Sequence, residues 1–274
     1  MAFNLFGKKY FSAGAATDAG KLRKDNQDSF LCRSDSGVFA VSDGMGGGEG
    51  GERASRLVVL HLEKSARTPL RDLSRATDFA HDANRAILAE AAEHHLRGMG
   101  ATVIALLLSP FHPEQALLFH AGDSRCYRLR ENTLRQLSAD HTIAAAMGVP
   151  EEKLARNLRG VLTNAAGCGA GFFVETQKLE IRSGDCYLLC SDGVSRQIPE
   201  QEIKRILSSD SAPGEKARML VETSLEYGGS DNATAVVVVF STLPEPADDV
   251  RLEEEQCPDT PSGEETDDAT PPTQ

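Results

Sequence analysis

The chain has 274 residues, of which 40% are apolar and 26% charged, and its formal net charge is −12 at pH 7. Eleven of the 41 acidic residues but only one of the 29 basic residues lie in 244–274, which leaves residues 1–243 with a net charge of −2. These values are typical of a globular domain with a sizeable core, and they exclude the basic surface of a nucleic-acid-binding protein. No apolar run is long enough to cross a membrane, and no secretory signal pattern is present. We therefore expect a cytoplasmic protein that binds neither nucleic acid nor membrane.

Strand patterns come first along the chain. Residues 10–18 and 28–43 have the composition of strands around turns. Two helices follow one another directly, the first from about Glu52 and the second over about 74–95, because apolar residues recur along one helical face in each. Further strands are predicted at 101–109, 115–123, 126–130 and 133–138, the last two joined into a hairpin at Glu131 and Asn132.

The second half of the chain repeats this order of strands and then paired helices. Because helices come in pairs and strands in runs, the pattern predicts an α+β protein with mostly antiparallel sheets and excludes a doubly wound α/β fold. We expect a layered sandwich with the sheets inside and the helices outside. The predicted elements are short helical pieces and loop at 139–168, strands at 172–181 and 185–192, helices at about 199–208 and 213–227, and a final strand at 232–241.

Two segments are set apart by composition. Residues 243–274 are rich in acidic residues, proline and threonine and poor in large apolar residues, so they predict a disordered tail after a domain at 1–242. The stretch "VSDGMGGGEGGERAS" at 41–55 contains G-x-G-x-x-G at Gly46, Gly48 and Gly51. A dinucleotide site would require a strand after the first helix, whereas a second helix follows, and Asp43 would repel a pyrophosphate. This glycine stretch is therefore not interpreted as a nucleotide cradle.

Five aspartates lie at the ends of predicted strands, each beside a small or turn-forming residue. Each alone is typical of a turn, but strands of packed sheets can bring their ends to one cleft. Gathered carboxylates repel one another, and an oxygen-only set favours Mg²⁺ or Mn²⁺ as the compensating ions. Two such ions at about 3.5–4 Å activate a hydroxide for in-line attack on phosphorus. The five are Asp28, Asp43, Asp123, Asp192 and Asp231.

Six segments, in order, resemble the protein phosphatase 2C family of metal-dependent phosphatases, in its bacterial form. The resemblance covers residues 10–241 and implies an αββα sandwich of two mostly antiparallel sheets flanked by helix pairs, over a catalytic domain at 1–242. It also implies hydrolysis of phosphoserine and phosphothreonine in proteins by a hydroxide bridging two Mg²⁺ or Mn²⁺ ions, with no covalent intermediate, and a third, weaker ion site. The segments are "TDAGKLRKDNQDS" at 17–29, "VSDGMGGGEGGERAS" at 41–55, "GDSRCYRLRENTLRQLSADHT" at 122–142, "LTNAAG" at 162–167, "GDCYLLCSDGVS" at 184–195 and "GGSDNATAVVVV" at 228–239.

The resemblance implies a role for each matching residue. Arg23, Asp28 and Asp43 are expected to be catalytic, with the Arg23 guanidinium holding the substrate phosphate. In the implied ligand set, Asp43 bridges both ions, Gly44 gives a backbone carbonyl to one ion, Asp192 and Asp231 bind the other, Asp28 orients metal-bound water and Asp123 binds the third ion.

Three positions depart from the family pattern. Gln27 stands where many members have a glutamate that reaches a metal through water, and the neutral amide predicts weaker metal affinity. Met45 stands where animal members have a histidine proposed as general acid, although bacterial relatives commonly have methionine. Asn164 replaces the usual arginine, which leaves substrate preference open. His141 is expected to have a structural role in its loop, and the remaining histidines are expected at the surface or in packing.

Two alternatives remain open on the sequence. One is a two-metal phosphohydrolase of small phosphate esters, and the other is a degenerate phosphatase that binds phosphoproteins without cleaving them. The expected partners are phosphoserine and phosphothreonine proteins, including a cognate Ser/Thr kinase or its substrates, and we expect a monomer.

Overall fold

A computed structural model describes residues 10–47, 49–66, 75–169 and 171–243. Beyond Leu243, the predicted acidic tail lies outside the described residues. Within these ranges there are eleven strands. The strands are β1 Phe11–Asp18, β2 Asp28–Arg33, β3 Val38–Met45, β4 Gly100–Ala101, β5 Val103–Leu108, β6 Gln115–Ala121, β7 Arg125–Arg130, β8 Thr133–Gln136, β9 Glu175–Glu180, β10 Cys186–Cys190 and β11 Ala233–Phe240.

Six α-helices occur in the same ranges, and two of them consist of little more than one turn. Two short 3₁₀ turns at 151–153 and 156–158 lie in the loop region predicted at 139–168. The helices are α1 Glu49–Ala66, α2 Ala76–Glu93, α3 Ile143–Met147, α4 Asp192–Ser195, α5 Glu200–Leu207 and α6 Pro213–Glu226.

The strands form two sheets in which the pairs are antiparallel, as predicted. One sheet has the order β1-β11-β10-β7-β8, and the other has the order β2-β3-β5-β6-β9 with β4 beside β3. The interior position of β11 explains its continuous apolar sequence "ATAVVVVF", because both faces of this strand are covered.

Three apolar clusters separate four layers. The central cluster joins the inner faces of the two sheets, for example Phe39 and Ile104 of one sheet with Tyr187 and Val236 of the other. A second cluster packs α1 and α2 onto the β3–β5 sheet, and a third packs α5 and α6 onto the β10–β11 sheet. Each large side chain that becomes fully buried contributes about 1.5–3 kcal/mol. The architecture is therefore the α+β sandwich in the order αββα.

The two-residue hairpin between β7 and β8 is confirmed. Glu131 and Asn132 have φ angles of 48° and 60°, and Arg130 pairs with Thr133 across the turn. Positive φ at both central residues gives the backbone twist that matches paired strands.

Several strands are shorter than predicted, and two of them are cut short beside the candidate site. The strand predicted at 101–109 is divided at Thr102, whose backbone N–H and side chain both bond to Asp43. The strand predicted at 185–192 ends at Cys190, and Asp192 begins the short helix α4. Both interruptions lie where the candidate site is built.

Among the described helices, none combines the length and the apolar character that a membrane crossing requires.

Candidate active site

The five sequence-predicted aspartates meet at one edge of the sandwich, and we call Asp28, Asp43, Asp123, Asp192 and Asp231 the aspartate cluster. Asp28 at the start of β2 lies opposite Asp43 near the end of β3 in the antiparallel ladder. In the other sheet, Asp192 follows β10 and Asp231 precedes its antiparallel neighbour β11, which brings these two together. Asp123 comes from the loop between β6 and β7. Antiparallel pairing is thus the reason that positions far apart in sequence share one site.

A cavity of about 500 Å³ opens over this edge. Four members of the aspartate cluster line it, and Asp28 lies behind them, 8% exposed. The cavity also brings in Arg23 and Gly44, so the predicted site residues are collected around one space. Its remaining lining residues are Gln27, Met45, Gly46, Gly47, Thr102, Gly160, Val161, Leu162, Cys168 and Asn232.

Four carboxyl groups of the cluster have a raised pKa, namely those of Asp28, Asp43, Asp123 and Asp192. Burial, and then the negative charges of the other aspartates, raise the pKa of Asp43 well above its ordinary value. Burial likewise raises the pKa of Asp28 and that of Asp123 to about 7, and it raises the pKa of Asp192. A divalent cation among these groups would offset their mutual repulsion and favour the ionised forms.

The donor atoms suit a hard divalent cation. The Asp28 Oδ2 atom accepts a hydrogen bond from the Ser191 hydroxyl at 2.7 Å. Its Oδ1 atom is buried and has no hydrogen-bond partner among the described residues, so it has an unused acceptor position. Carboxylate and carbonyl oxygens are the ligands that Mg²⁺ and Mn²⁺ prefer. The residues present therefore fit such ions.

Gly44 is needed because α1 begins against the end of β3. A Cβ atom at position 44 would lie 2.0 Å from the Gly51 carbonyl oxygen. A Cβ atom at position 51 would in turn lie 2.8 Å from both the Gly44 carbonyl oxygen and the Gln27 Oε1 atom. Both glycines therefore allow the start of α1 to lie directly against the end of β3.

Arg23 lies at the rim of the cavity in the loop between β1 and β2. Its Nη2 atom is 2.7 Å from the Asp231 Oδ2 atom, and its side chain is 53% exposed. Asn232 fastens this loop: its Oδ1 atom accepts the Gln27 N–H, and its Nδ2 atom donates to the carbonyl groups of Ala19 and Asp25. The arginine is thus presented to the cavity by a loop that is hydrogen-bonded to Asn232, the residue after Asp231.

Thr102 is a positioning residue that was not predicted from the sequence. Its Oγ1 atom accepts the Asp43 N–H at 2.9 Å and lies 2.7 Å from the Ser124 hydroxyl, next to Asp123. It therefore connects Asp43 on β3 with Ser124, the neighbour of Asp123 in the loop after β6. The available signal was a threonine within the apolar run "ATVIALLL".

The positions that depart from the family pattern have different surroundings. Gln27 and Met45 line the cavity. Asn164 is buried and exchanges two hydrogen bonds with the backbone of Phe173, so its amide faces the fold. His141, which is absent from the cavity lining, bonds through its backbone N–H to the Gly122 carbonyl, and its Nδ1 atom accepts the Gly122 N–H. These bonds hold the residue that precedes Asp123.

A second group of ionisable residues, His120, His141 and Glu175, lies outside the cavity lining. His120 and His141 are both buried, and their Nε2 atoms lie 3.3 Å and 3.4 Å from the Glu175 carboxylate. The sequence predicts His120 only as a surface or packing residue and does not indicate this grouping. Because the His141 Nδ1 atom accepts from both Gly122 and Asn164, the neutral ring carries its proton on Nε2. The His141 Nε2 atom is buried and makes no hydrogen bond to a described residue, although the Glu175 Oε1 atom lies 3.4 Å away.

Comparison with known proteins places the chain among phosphatases. Residues 21–226 match the family described as Protein phosphatase 2C. The Serine/threonine phosphatase stp of Listeria welshimeri is 32% identical over 237 residues, which cover 81% of this chain and 93% of that protein. The structure of PppA, described as a key regulatory component of T6SS in Pseudomonas aeruginosa, is similar with a TM-score of 0.77 at 30% identity. The superposition covers 85% of this chain and 99% of the PppA chain. The catalytic domain of the phosphatase PstP in complex with two manganese ions is similar with a TM-score of 0.75 at 34% identity. This superposition covers 84% of this chain and 98% of the PstP chain.

Proposed function

The chain belongs to the protein phosphatase 2C family and is a metal-dependent protein serine/threonine phosphatase, and we propose that the aspartate cluster is its catalytic centre. The observation that carries the proposal is the convergence of five aspartates on one open cavity, with a guanidinium at its rim. Such a set of oxygen donors and one fixed positive charge matches the needs of phosphate ester hydrolysis.

Each member of the cluster has a proposed position toward the metal ions. Asp43, between Asp28 and Asp192, is the carboxylate that both ions would share, and the Gly44 carbonyl group would bind one of them. Asp192 and Asp231 would hold the other ion. When bound, Mg²⁺ or Mn²⁺ supplies the positive charge that activates a water for attack on phosphorus and offsets the phosphate charge.

Asp28 and Arg23 would orient the attacking water and bind the substrate phosphate, respectively. Asp28 has one buried oxygen without a partner among the described residues, which suits it to orient a water for attack. Arg23 would bind the phosphate oxygens, because a guanidinium donates two parallel hydrogen bonds to such an anion. An ion at Asp231 would compete with Arg23 for that carboxylate and favour the turn of Arg23 toward substrate.

The hydrogen bonds described for the nearby serine hydroxyl groups support direct attack by water over a phosphoenzyme, because neither serine is paired there with a histidine that could activate it. The Ser42 hydroxyl donates to the Thr102 carbonyl, and the Ser191 hydroxyl donates to Asp28. A serine nucleophile requires an adjacent base such as histidine. Neither serine has a histidine partner among its described hydrogen bonds.

The proposed substrates are proteins phosphorylated on serine or threonine by a cognate kinase, or that kinase itself. Because such kinases use ATP, the proposed location is the cytoplasm. We further propose that the chain acts as a monomer, since its exposed large apolar side chains come from separate segments, for example Leu60, Phe111 and Tyr227. Sedimentation of the full chain tests the last statement, and a dimer at micromolar concentration would contradict it.

The proposed function is tested by measuring the hydrolysis of several phosphate esters with and without Mn²⁺. Phosphothreonine and phosphoserine peptides, p-nitrophenyl phosphate, a sugar phosphate and a nucleoside monophosphate are offered to the full chain with Mn²⁺, with a chelator, and with Mn²⁺ restored. We expect peptide hydrolysis that the chelator abolishes and Mn²⁺ restores. Faster turnover of the small esters than of the peptides would indicate a small-molecule phosphohydrolase, and binding of phosphopeptide without hydrolysis would indicate a degenerate phosphatase.

A further inference from the structure

Arg196 lies beside the aspartate cluster, and neither the family resemblance nor the proposed mechanism assigns it a role. It follows the short helix α4, four residues after Asp192. Its Nη2 atom is 2.6 Å from the Asp123 Oδ2 atom, and its Nε atom is 3.4 Å from the Asp192 Oδ2 atom. Its Nη1 atom is 3.4 Å from the Glu151 Oε1 atom. One guanidinium therefore faces three carboxylates from three different segments.

The position of the guanidinium is well defined by its surroundings. The Arg196 side chain is 29% exposed and that of Asp123 is 7% exposed, so the pair lies largely out of water, where charge-assisted hydrogen bonds are strong. Gly160 closes the other side, since a Cβ atom there would lie 3.2 Å from the Arg196 Nη1 atom. The contacts thus join the aspartate cluster to the segment of residues 150–160.

We propose that Arg196 is a built-in cation that occupies a latent divalent-metal site formed by Asp123, Asp192 and Glu151. Three carboxylates around one position form a set of hard oxygen donors, and the guanidinium offsets one of their three negative charges. A divalent ion that binds the Asp123 Oδ2 atom competes with the guanidinium for it. The third ion that the family resemblance implies at Asp123 therefore binds weakly in this chain.

This inference rests on the proposed two-ion centre but concerns a neighbouring position. Arg196 contacts Asp192 of that centre, but its described ion pairs do not include Asp43 or Asp231, so its removal leaves most of the two-ion ligand set in place. Removal of the guanidinium by Arg196→Gln leaves the three carboxylates without their cation, and a further Mn²⁺ ion then binds there. Arg196→Lys retains a positive charge at the same place and continues to exclude the ion.

The test is the number and affinity of bound Mn²⁺ ions, measured by equilibrium dialysis and elemental analysis of the full chain. Wild type, Arg196→Gln, Arg196→Lys and Arg196→Gln combined with Asp123→Asn are compared at one pH, and thermal unfolding verifies that each variant is folded. Arg205→Gln is the matched control, since Arg205 is an exposed arginine paired with Glu202 on α5.

We expect Arg196→Gln to bind one more ion than wild type, or to bind the third ion at least about tenfold more tightly. Arg196→Lys and Arg205→Gln should match wild type, and the double variant should lose the additional ion. Equal third-ion affinity in wild type and Arg196→Gln would overturn the inference, as would an additional ion that persists without Asp123. If every form binds two ions and none binds a third, the two-ion centre stands and the inference about Arg196 fails. If wild type binds none, the proposed function itself fails.

Discussion

His120 gives the chain a specific sensitivity to acid. The side chain, on β6, is buried, and its Nδ1 atom has no hydrogen-bond partner among the described residues. Burial, and then the neighbouring His141, lower the pKa of His120 from 6.5 to about 4. Above pH 6.5 the imidazole is neutral in the folded and the unfolded chain, so the stability that this site provides is fully present there. Between that pH and about 4, only the unfolded chain takes up the proton, so the free energy of unfolding falls as the pH falls.

The size of this effect follows from the width of that interval. Each pH unit within it lowers the free energy of unfolding by up to about 1.4 kcal/mol, which gives a loss of about 3 kcal/mol over the whole range. His120→Gln removes the titration, because the amide is neutral throughout and similar in size. The wild-type free energy of unfolding should therefore fall more steeply with acid than that of His120→Gln, by up to about 3 kcal/mol.

Urea unfolding followed by circular dichroism, in a chelator and at a series of pH values from about 7 to about 4.5, measures this difference. The chelator keeps metal release from contributing to the slope. His112→Gln, at an exposed histidine, is the matched control for the loss of an imidazole. Parallel pH dependences for wild type and His120→Gln would refute the reasoning, because the buried ring would then not be the group that resists protonation.

Three further changes test the site. Gly44→Ala places a Cβ atom 2.0 Å from the Gly51 carbonyl oxygen, so we expect a loss of about 1–3 kcal/mol in urea unfolding together with reduced Mn²⁺-dependent turnover; unchanged stability would show that the approach of α1 to β3 is not tight. Arg23→Ala removes the proposed phosphate contact and should lower kcat/KM for a phosphothreonine peptide by about 10²–10³, and a change below about twofold would remove Arg23 from the mechanism. Mn²⁺ at about one hundred times its Kd should raise the free energy of unfolding of wild type by about 2.7 kcal/mol in thermal or urea denaturation, and an equal gain in Asp43→Asn would place the ion elsewhere.

The fold class and the aspartate cluster could be predicted from the sequence because both depend on local order along the chain. Runs of strands and paired helices indicate the sandwich, and the confirmed hairpin at Glu131 and Asn132 depends on a two-residue turn. Asp28 and Asp43 flank two strands that are adjacent in sequence, so their meeting follows from one antiparallel pairing. These features could be predicted because each depends on residue patterns within one segment or on the pairing of strands that are adjacent in sequence.

Contacts between distant segments could not be predicted in this way. Thr102 interrupts a predicted strand, and its side chain bonds to Asp43, 59 positions earlier. Arg196 has Asp123 as its partner across 73 positions, and the sequence around it contains no sign of that ion pair. His120, His141 and Glu175 meet only because β6 pairs with β9 and a loop returns over them. Such pairings are set by tertiary packing, which a single sequence does not display.

The most direct test of the central claim is the turnover of a phosphothreonine peptide by Asp43→Asn at matched Mn²⁺ concentrations. Asp43 is the carboxylate whose pKa the other four aspartates all raise, and it is the proposed shared ligand of both ions. The account predicts that Asp43→Asn retains the circular dichroism spectrum and cooperative unfolding of wild type, while its kcat/KM falls by at least about a thousandfold. Near wild-type turnover by the folded variant would contradict it.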